Sequence, residues 1–217
     1  MSLKFSLQGF VEKKFKENRL LVKKIKKLTK KIGFNSEQWI RYPAYKLIKK
    51  KLLTYPINTF ETLEISAGEY WKENFKFKNY TEFNFPRNDI CRQLKLKKKF
   101  DLIIADNVWE HLEYPYRATK NIYKLLKPRG IFLVITPFLI RIHNVPNDCT
   151  RWTKEGLKYL LIESGFKTNK IVTHSWGNRS CVISNLRTDD SWTRVGFYKD
   201  FKNDDLFPVQ IWAFAQK

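Results

Sequence analysis

The sequence is poor in cysteine and has no long apolar segment. The 3 cysteines, Cys91, Cys149 and Cys181, lie far apart in 217 residues and form no C-x-x-C pair, which excludes a disulfide framework and indicates thiols in a reducing compartment. The longest apolar run, residues 131–140, is shorter than a membrane span and contains Pro137. The first residues show no secretory signal pattern. We therefore expect a cytoplasmic protein that can also attach peripherally to a membrane.

Glycine and proline are also scarce, with 8 of each, whereas 43% of the residues are hydrophobic and 16% are aromatic. This composition excludes collagen-like repeats and intrinsic disorder as the class of the whole chain. A length of 217 residues suits one domain with a small appendage and is sufficient for a real hydrophobic core.

Acidic residues are half as numerous as basic ones, with 21 Asp and Glu against 42 Lys and Arg, so the formal net charge is +21. Residues 1–60 hold 16 basic and 3 acidic side chains, a net charge of +13. Residues 10–32 place apolar side chains at helical spacing among lysines, which predicts a basic amphipathic helix that ends at Gly33. Such a helix either caps the core or binds a polyanion, and the polyanions considered are RNA and an anionic membrane surface. On a membrane, Phe5, Phe10 and Phe15 are the candidate anchors.

Two regions of the chain differ in the pattern of their apolar residues. Ser36 can cap a second helix over residues 37–53, which completes a helical extension of residues 1–54. Residues 55–217 alternate short apolar runs with helical patterns, and runs of this kind suit parallel strands that are buried on both faces. The predicted strands are residues 59–65, 80–83, 100–105, 131–136, 170–174 and 208–217.

Helices are predicted between these strands. One starts at Pro115, carries an apolar stripe and is ended by the KPRG sequence, and another is capped by Thr153 and stops at Gly165. Alternation of strands and helices predicts an α/β fold, a doubly wound and mostly parallel sheet with its ligand at the carboxyl ends of the strands.

The turn after the first of these strands is the expected place for a cofactor. Glu64 ends the strand, and Ser66 and Gly68 are small enough to let the backbone approach a ligand. The G-x-G-x-x-G sequence of dinucleotide-binding enzymes is absent, which disfavours a dehydrogenase. Glu82, which follows Glu64 by 18 residues, or its alternative Asn84, is placed to bind ribose hydroxyls. Asp89 is the candidate acceptor for an adenine amine.

A longer pattern resembles a known family. The sequences LEISAG and NDICRQL are followed by residues 100–138, in which Asp106, Glu110, His111 and a KPRG sequence stand at characteristic spacing. Together they resemble class I S-adenosylmethionine-dependent methyltransferases, in the broad group that includes small-molecule and sugar methyltransferases. The resemblance covers about residues 60–175 and implies a Rossmann-like fold, S-adenosylmethionine as the cofactor and no metal.

The resemblance also implies roles for particular residues. Glu64 and Gly68 would flank the methionine part of the cofactor, while Asp106 and Asn107 would form the floor of the reaction centre. Two departures stand out, namely a first motif with a single glycine and a short segment between the first two strands. Residues 61–113 carry 10 acids and 9 bases, a net charge of −1, which favours a cofactor that has a sulfonium and no phosphate.

Residues 137–153 form a polar loop after the fourth strand of this region, where substrates sit in such sheets. His143 is the candidate general base for an acceptor hydroxyl, with Asp148 as its partner. Arg141 and Arg151 are candidates to hold an anionic or hydroxylated substrate, together with Trp152. Alternatively, Asp148 and Arg151 pair to pin the loop and Trp152 belongs to the core. His174, after a later strand, is a weaker candidate for substrate binding.

Three functions follow from these patterns. The first is methyl transfer to oxygen or nitrogen of a small-molecule or carbohydrate-like acceptor, without a metal. The second is an RNA methyltransferase whose basic N-terminal helix grips phosphates. The third is a binding subunit that keeps the methyltransferase fold but has lost catalysis.

Overall fold

Two β-sheets form in the computed structural model, which describes residues 19–92, 96–144, 146–187 and 192–217. The strands are β1 (Asn35–Gln38), β2 (Glu61–Ile65), β3 (Asn79–Phe83), β4 (Phe100–Asp106), β5 (Leu126–Pro137), β6 (Ile171–Trp176), β7 (Arg194–Gly196) and β8 (Gln210–Gln216). The main sheet has the order β3-β2-β4-β5-β8-β6, with β2 to β5 parallel and β8 antiparallel to both of its neighbours. The predicted mostly parallel sheet is therefore confirmed, while β1 and β7 form a separate antiparallel pair.

Helices cover both faces of the main sheet. The α-helices are α1 (Arg19–Lys31), α2 (Tyr42–Leu52), α3 (Tyr70–Asn74), α4 (Pro115–Leu125), α5 (Lys154–Glu163) and α6 (Arg179–Leu186). Helices α4 and α5 pack on one face, and α2, α3 and α6 pack on the other, which is the doubly wound arrangement. The start of α4 at Pro115 and the cap of α5 are as predicted, since the Thr153 side chain accepts a hydrogen bond of 3.1 Å from the Gly156 N–H. The sequence did not indicate α3 or α6.

Alternation along the strands decides which side chains reach which helices. Successive side chains of a strand point to opposite faces, so Leu63 and Ile103 pack with α4 and α5, while Leu102 and Ile104 pack with α2 and α3. Glu64 shares the second face, because it lies one residue after Leu63. Both faces are apolar along β4, which explains its continuous hydrophobic run.

The predicted helix over residues 37–53 is wrong at its start. Ser36 lies in β1 and not at a helix N-cap, because residues 35–38 pair with β7. Trp39 and Ile40 are buried after this strand, and α2 begins only at Tyr42. The partner strand lies about 160 residues further along the chain, so no local pattern could indicate it.

Helix α1 is basic, and the apolar side chains described on it and just after it are exposed. Gly33, with φ of 82°, follows its end as predicted. Ile25, Leu28 and Ile32 are 41%, 66% and 70% exposed, so in the described part of the helix they do not cap the core. Residues 10–18 and the three phenylalanine anchors lie outside the described residues. No helix in the described ranges has the length and apolarity needed to cross a membrane.

Helix α2, by contrast, belongs to the main core. Ala44, Ile48 and Leu52 are fully buried and share a cluster with Leu102 and Ile104 of β4. The division of the chain after residue 54 stays a prediction, but α2 packs directly on the sheet. It therefore contributes to the edge of the sheet where the candidate site lies.

Candidate active site

The carboxyl ends of the parallel strands meet at one edge of the sheet. Strand β2 ends at Ile65, β3 at Phe83, β4 at Asp106 and β5 at Pro137, opposite Gln210 at the start of β8. Ligands of doubly wound sheets bind at this edge. The structure thereby gathers residues from five strands and from α2 and α3 at this edge.

Asp106 is fixed by neutral hydrogen-bond donors. Tyr45 Oη donates to its two carboxylate oxygens at 2.7 and 2.6 Å, and Trp71 Nε1 donates to Oδ2 at 2.9 Å. The Asn107 side-chain amide donates to Oδ1 at 2.8 Å. Burial, and then the negative charge of Asp106, raise the pKa of Tyr45 well above its ordinary value, so its hydroxyl remains a donor. Helices α2 and α3 together hold the carboxylate in one orientation.

Asn107 connects three strands at the same point. Its φ of 53° lies in the left-handed region, which asparagine tolerates better than most residues. Its N–H donates to the Ile135 carbonyl at 2.9 Å, and its Oδ1 accepts from Gln210 Nε2 at 3.0 Å. Strained backbone of this kind concentrates at functional sites. The floor predicted from Asp106 and Asn107 is therefore a rigid surface made by β4, β5 and β8.

The turn after β2 is tied to its neighbours by backbone N–H groups. Ser66 has φ of 51°, and its N–H donates to the Phe83 carbonyl at 3.0 Å. The Ala67 N–H donates to Asn84 Oδ1 at 2.7 Å, and the Gly68 N–H donates to Glu64 Oε1 at 3.2 Å. A Cβ at Gly68 would meet no atom within 4 Å, so the space above the turn is open. Asn84 thus orders the turn.

Glu64 is a buried carboxyl at the carboxyl edge of the sheet. It is 2% exposed, and Tyr80 Oη donates to its Oε2. Burial raises its pKa from 4.5 to about 8, the Gly68 N–H lowers it, and the charges of Asp106 and Glu82 raise it further. A bound cation would lower this pKa and favour the ionised form of Glu64.

The two remaining cofactor candidates already have partners. Glu82 forms a 2.9 Å ion pair with Lys72. Asp89 accepts from the Cys91 N–H at 2.8 Å and pairs with Arg92 at 3.1 Å, so it orders its own turn. Both line a cavity of ≈ 840 Å³ beside the end of β3, which lies within the range of small-molecule sites. Their roles toward ribose and adenine stay predictions.

The loop after β5 is pinned by Asp148. Arg151 Nη1 and Nη2 donate to its two carboxylate oxygens, and the His143 N–H donates to Oδ2 at 2.9 Å. His143 Nδ1 lies 3.4 Å from Asp148 Oδ2 without forming a hydrogen bond, and burial lowers the pKa of this imidazole. The geometry supports the alternative in which Asp148 and Arg151 organise the loop. A hydrogen-bonded dyad of His143 and Asp148 is not present.

The other substrate candidates divide between the site and its surroundings. The Arg141 guanidinium lies 5.2 Å from the centre of the Trp192 ring, and Trp152 packs against the core on the side of α4 and α5. His174 stacks on Trp212 and lies in a separate cavity of ≈ 300 Å³ that is lined by residues of α2 and β8. The structure therefore does not bring His174 to the loop that carries His143.

Three contributors to the site were missed at the level of sequence. They are Tyr45, Trp71 and Gln210, which reach Asp106 or Asn107 from 61, 35 and 103 residues away. Tyr45 and Trp71 resemble ordinary core aromatics, and Gln210 opens an apolar strand. For the two aromatic residues, the only hint in the sequence is that polar atoms on buried aromatic side chains need a partner.

The fold is that of class I S-adenosylmethionine-dependent methyltransferases. A family model for methyltransferase domains matches residues 47–132. A solved S-adenosylmethionine-dependent methyltransferase from Archaeoglobus fulgidus is 14% identical, with 81% of this chain and 94% of that chain covered at a TM-score of 0.53. One from Mesorhizobium loti is 12% identical, with 78% and 96% covered at a TM-score of 0.52. No curated protein matches the sequence.

These similarities confirm the predicted resemblance. Residues 47–132 match a methyltransferase domain, and the fold is shared with solved S-adenosylmethionine-dependent methyltransferases, whose cofactor is S-adenosylmethionine. The acceptor is not specified by any of them.

The residues at the edge of the sheet fit this cofactor. In the described part of the chain, the hydrogen bonds found to Glu64 and Asp106 come from neutral donors, so none of these donors brings a positive charge to either carboxyl. A ligand with a sulfonium and an ammonium group supplies the missing positive charge. At Gly68 the turn is open, since an added Cβ would meet no atom within 4 Å.

Proposed function

We propose that this protein transfers a methyl group to oxygen or nitrogen of a small-molecule or carbohydrate-like acceptor. The observation that carries the proposal is the pair of carboxyls Glu64 and Asp106, held by neutral donors at the carboxyl edge of the sheet. Such a pair attracts a cationic ligand, and it lies in a segment of net charge −1 within a chain of net charge +21.

The described residues have distinct tasks in this reaction. When bound, S-adenosylmethionine supplies an electrophilic methyl carbon; a C–O or C–N bond forms, the S–C bond breaks, and the proton of the acceptor passes to solvent or to a nearby base. Glu64 and Asp106 bind the positive charge and fix its position. The loop pinned by Asp148 and Arg151 carries His143, which we propose to face the acceptor. Most of the rate enhancement would come from this alignment.

Calorimetry tests the proposal before any acceptor is known. We expect one S-adenosylmethionine and, competitively, one S-adenosylhomocysteine to bind per chain. A labelled methyl group should then appear on members of a panel of hydroxylated, amino and carbohydrate compounds, with bulk RNA as a separate arm. The absence of heat with both cofactors would identify a binding subunit, and label only on RNA would identify the RNA methyltransferase.

We also propose that α1 binds an anionic membrane surface. Its lysines surround Ile25, Leu28 and Ile32, which are exposed, and an interfacial helix buries such side chains between lipid head groups. A partner that recognised only charge would leave these apolar side chains in water. A cytoplasmic location and RNA as a partner stay predictions.

The double variant Leu28→Ser with Ile32→Ser should bind vesicles that contain phosphatidylserine about tenfold more weakly, because two apolar side chains no longer enter the bilayer. Vesicle co-sedimentation measures this. Leu206→Ser is the matched control, since Leu206 is 81% exposed outside α1. Unchanged sedimentation of the double variant, together with salt-sensitive RNA retention, would replace the membrane with RNA as the partner.

A further inference from the structure

A cluster of three potential metal ligands, of which the mechanism above uses only His143, lies beyond the end of β4. Glu110, His111 and His143 each offer one ligand atom, and these atoms lie within 4.8 Å of one another. Glu110 and His111 belong to a single 3₁₀ turn four residues beyond β4, and His143 comes from the loop after β5. The rings of His111 and His143 are 4.9 Å apart.

Glu110 is the unusual member of this cluster. Its side chain is fully buried, and both carboxylate oxygens lack a hydrogen-bond partner in the structure. A buried carboxylate without a partner is costly, and such groups are normally paired or coordinate a metal. The Cys149 and Thr150 N–H groups bind the backbone carbonyl of Glu110, so the loop is tied to this residue while its carboxylate is left unbonded.

The imidazole of His111 is oriented for coordination. Its Nδ1 contacts the Asn147 carbonyl, which can only accept, so Nδ1 must carry the proton. In the neutral ring, Nε2 then presents a lone pair toward Glu110 Oε1, 3.6 Å away. Two electron-rich atoms that face each other need either a proton or a metal cation between them. A carbonyl on the opposite ring nitrogen is the arrangement found behind metal-binding histidines.

The third ligand is supported in a similar way. Nδ1 of His143 lies 3.4 Å from Asp148 Oδ2, and Asp148 is itself held by Arg151. A carboxylate behind a ligating imidazole is a common supporting contact. The positive charges of Arg151 and Arg41 also act on Glu110, but the Arg151 guanidinium donates its hydrogen bonds to Asp148 and to the Thr150 carbonyl.

We propose that Glu110, His111 and His143 bind one divalent transition metal, of which Zn²⁺ is the reference ion. Two imidazoles and one carboxylate suit Zn²⁺ and its neighbours in the series and leave a coordination position open. Tetrahedral ligands would stand about 3.3 Å apart at ordinary Zn–N and Zn–O distances, so side-chain movements of roughly 1 Å close the site. This proposal departs from the expectation of a metal-free protein.

The site has a consequence that rests on the proposed function. A cation at the carboxyl edge would hold the acceptor oxygen or nitrogen in its open position, next to the bound cofactor. His143 would then be a metal ligand instead of a general base. Binding of the metal itself does not depend on this consequence, so its test is independent of methyl transfer.

The experiment is a titration of the tag-free full-length chain, after removal of metals with a chelator. Zn²⁺ is followed by calorimetry, and Co²⁺ by the visible absorption that a site with few ligands produces. We expect one ion per chain, and about 100-fold or greater weakening by His143→Ala and by Glu110→Gln, because each removes a ligand from a three-ligand site.

Two variants serve as controls. His174→Ala removes the remaining histidine, and Cys149→Ser removes the exposed thiol nearest to His111; both should keep the affinity of the natural protein. The proposal is overturned by the absence of binding, by unchanged binding in His143→Ala, or by loss of binding in Cys149→Ser. If Glu110→Gln fails to fold, His143→Ala decides alone, because His143 is partly exposed on a loop. Cofactor binding without metal binding would leave the proposed function intact.

Discussion

Asp106→Asn is expected to weaken S-adenosylmethionine binding by about 100-fold, or about 2.7 kcal/mol. The substitution keeps the shape of the side chain and removes its negative charge, and truncating one partner of a buried charge pair costs about 2 to 5 kcal/mol. Calorimetry with the cofactor measures the effect. The free energy of unfolding should fall as well. Tyr45 and Trp71 donate to the two carboxylate oxygens of Asp106, whereas the asparagine amide has only one acceptor oxygen.

Tyr45→Phe tests whether the cofactor needs the charge of Asp106 or the hydrogen bond that Asp106 receives. It removes the hydroxyl that donates to Asp106 and leaves the carboxylate charge in place. We therefore expect cofactor affinity within about fivefold of the natural protein, with a free energy of unfolding lower by about 1 to 3 kcal/mol. If Asp106→Asn binds the cofactor less than about tenfold more weakly, or no more weakly than Tyr45→Phe, Asp106 does not bind the positive charge of the cofactor.

Glu64→Gln should weaken cofactor binding but stabilise the free protein at high pH. With its pKa at about 8, the carboxyl of Glu64 is mostly protonated in the free protein near neutral pH. A cationic ligand binds the ionised form, so affinity for S-adenosylmethionine should rise as the pH increases from 6 to 8 and then level off. Glutamine cannot ionise. The variant should bind at least about tenfold more weakly at pH 8 and show no such rise.

The ionisation of Glu64 also makes the stability of the free protein depend on pH, in a direction that follows from its raised pKa. The folded state keeps a proton that the unfolded state loses between pH 4.5 and about 8, so Glu64 lowers stability as the pH rises through that window. Above pH 8, Glu64→Gln should be more stable than the natural protein by about 1 kcal/mol or more in denaturant unfolding. Glu61→Gln, in the same strand, should leave cofactor binding unchanged. A pH-independent affinity in the natural protein would contradict the assignment.

Much of the sheet could be predicted from the sequence because its strands are buried on both faces. The run that leads to Asp106 is apolar over residues 102–105, the run that ends at Ile65 is short and mixed, and a parallel topology places their carboxyl ends together. Glu64 was found for that reason, whereas Asp106 and Asn107 were indicated by the resemblance to methyltransferases. The start of α2 was predicted wrongly because the pairing of residues 35–38 depends on a distant strand.

The parts of the site that escaped prediction depend on long-range register. Gln210 reaches Asn107 only because β8 inserts beside β5, and Tyr45 reaches Asp106 only because α2 crosses β4. The same dependence on register explains why His174 was predicted near the substrate loop but lies in a separate cavity. A strand residue can face either side of a sheet, and the choice depends on pairing that a short sequence window does not contain.

Strand β8 has a consequence for the order in which the protein is made. It pairs with β5 on one side and β6 on the other, yet it is synthesised after both. A nascent chain that has emerged only as far as β6 exposes two unpaired strand edges and lacks Gln210 at the floor of the site. Such edges invite pairing with other chains, so chaperone protection is most needed just before residues 210–216 emerge from the ribosome.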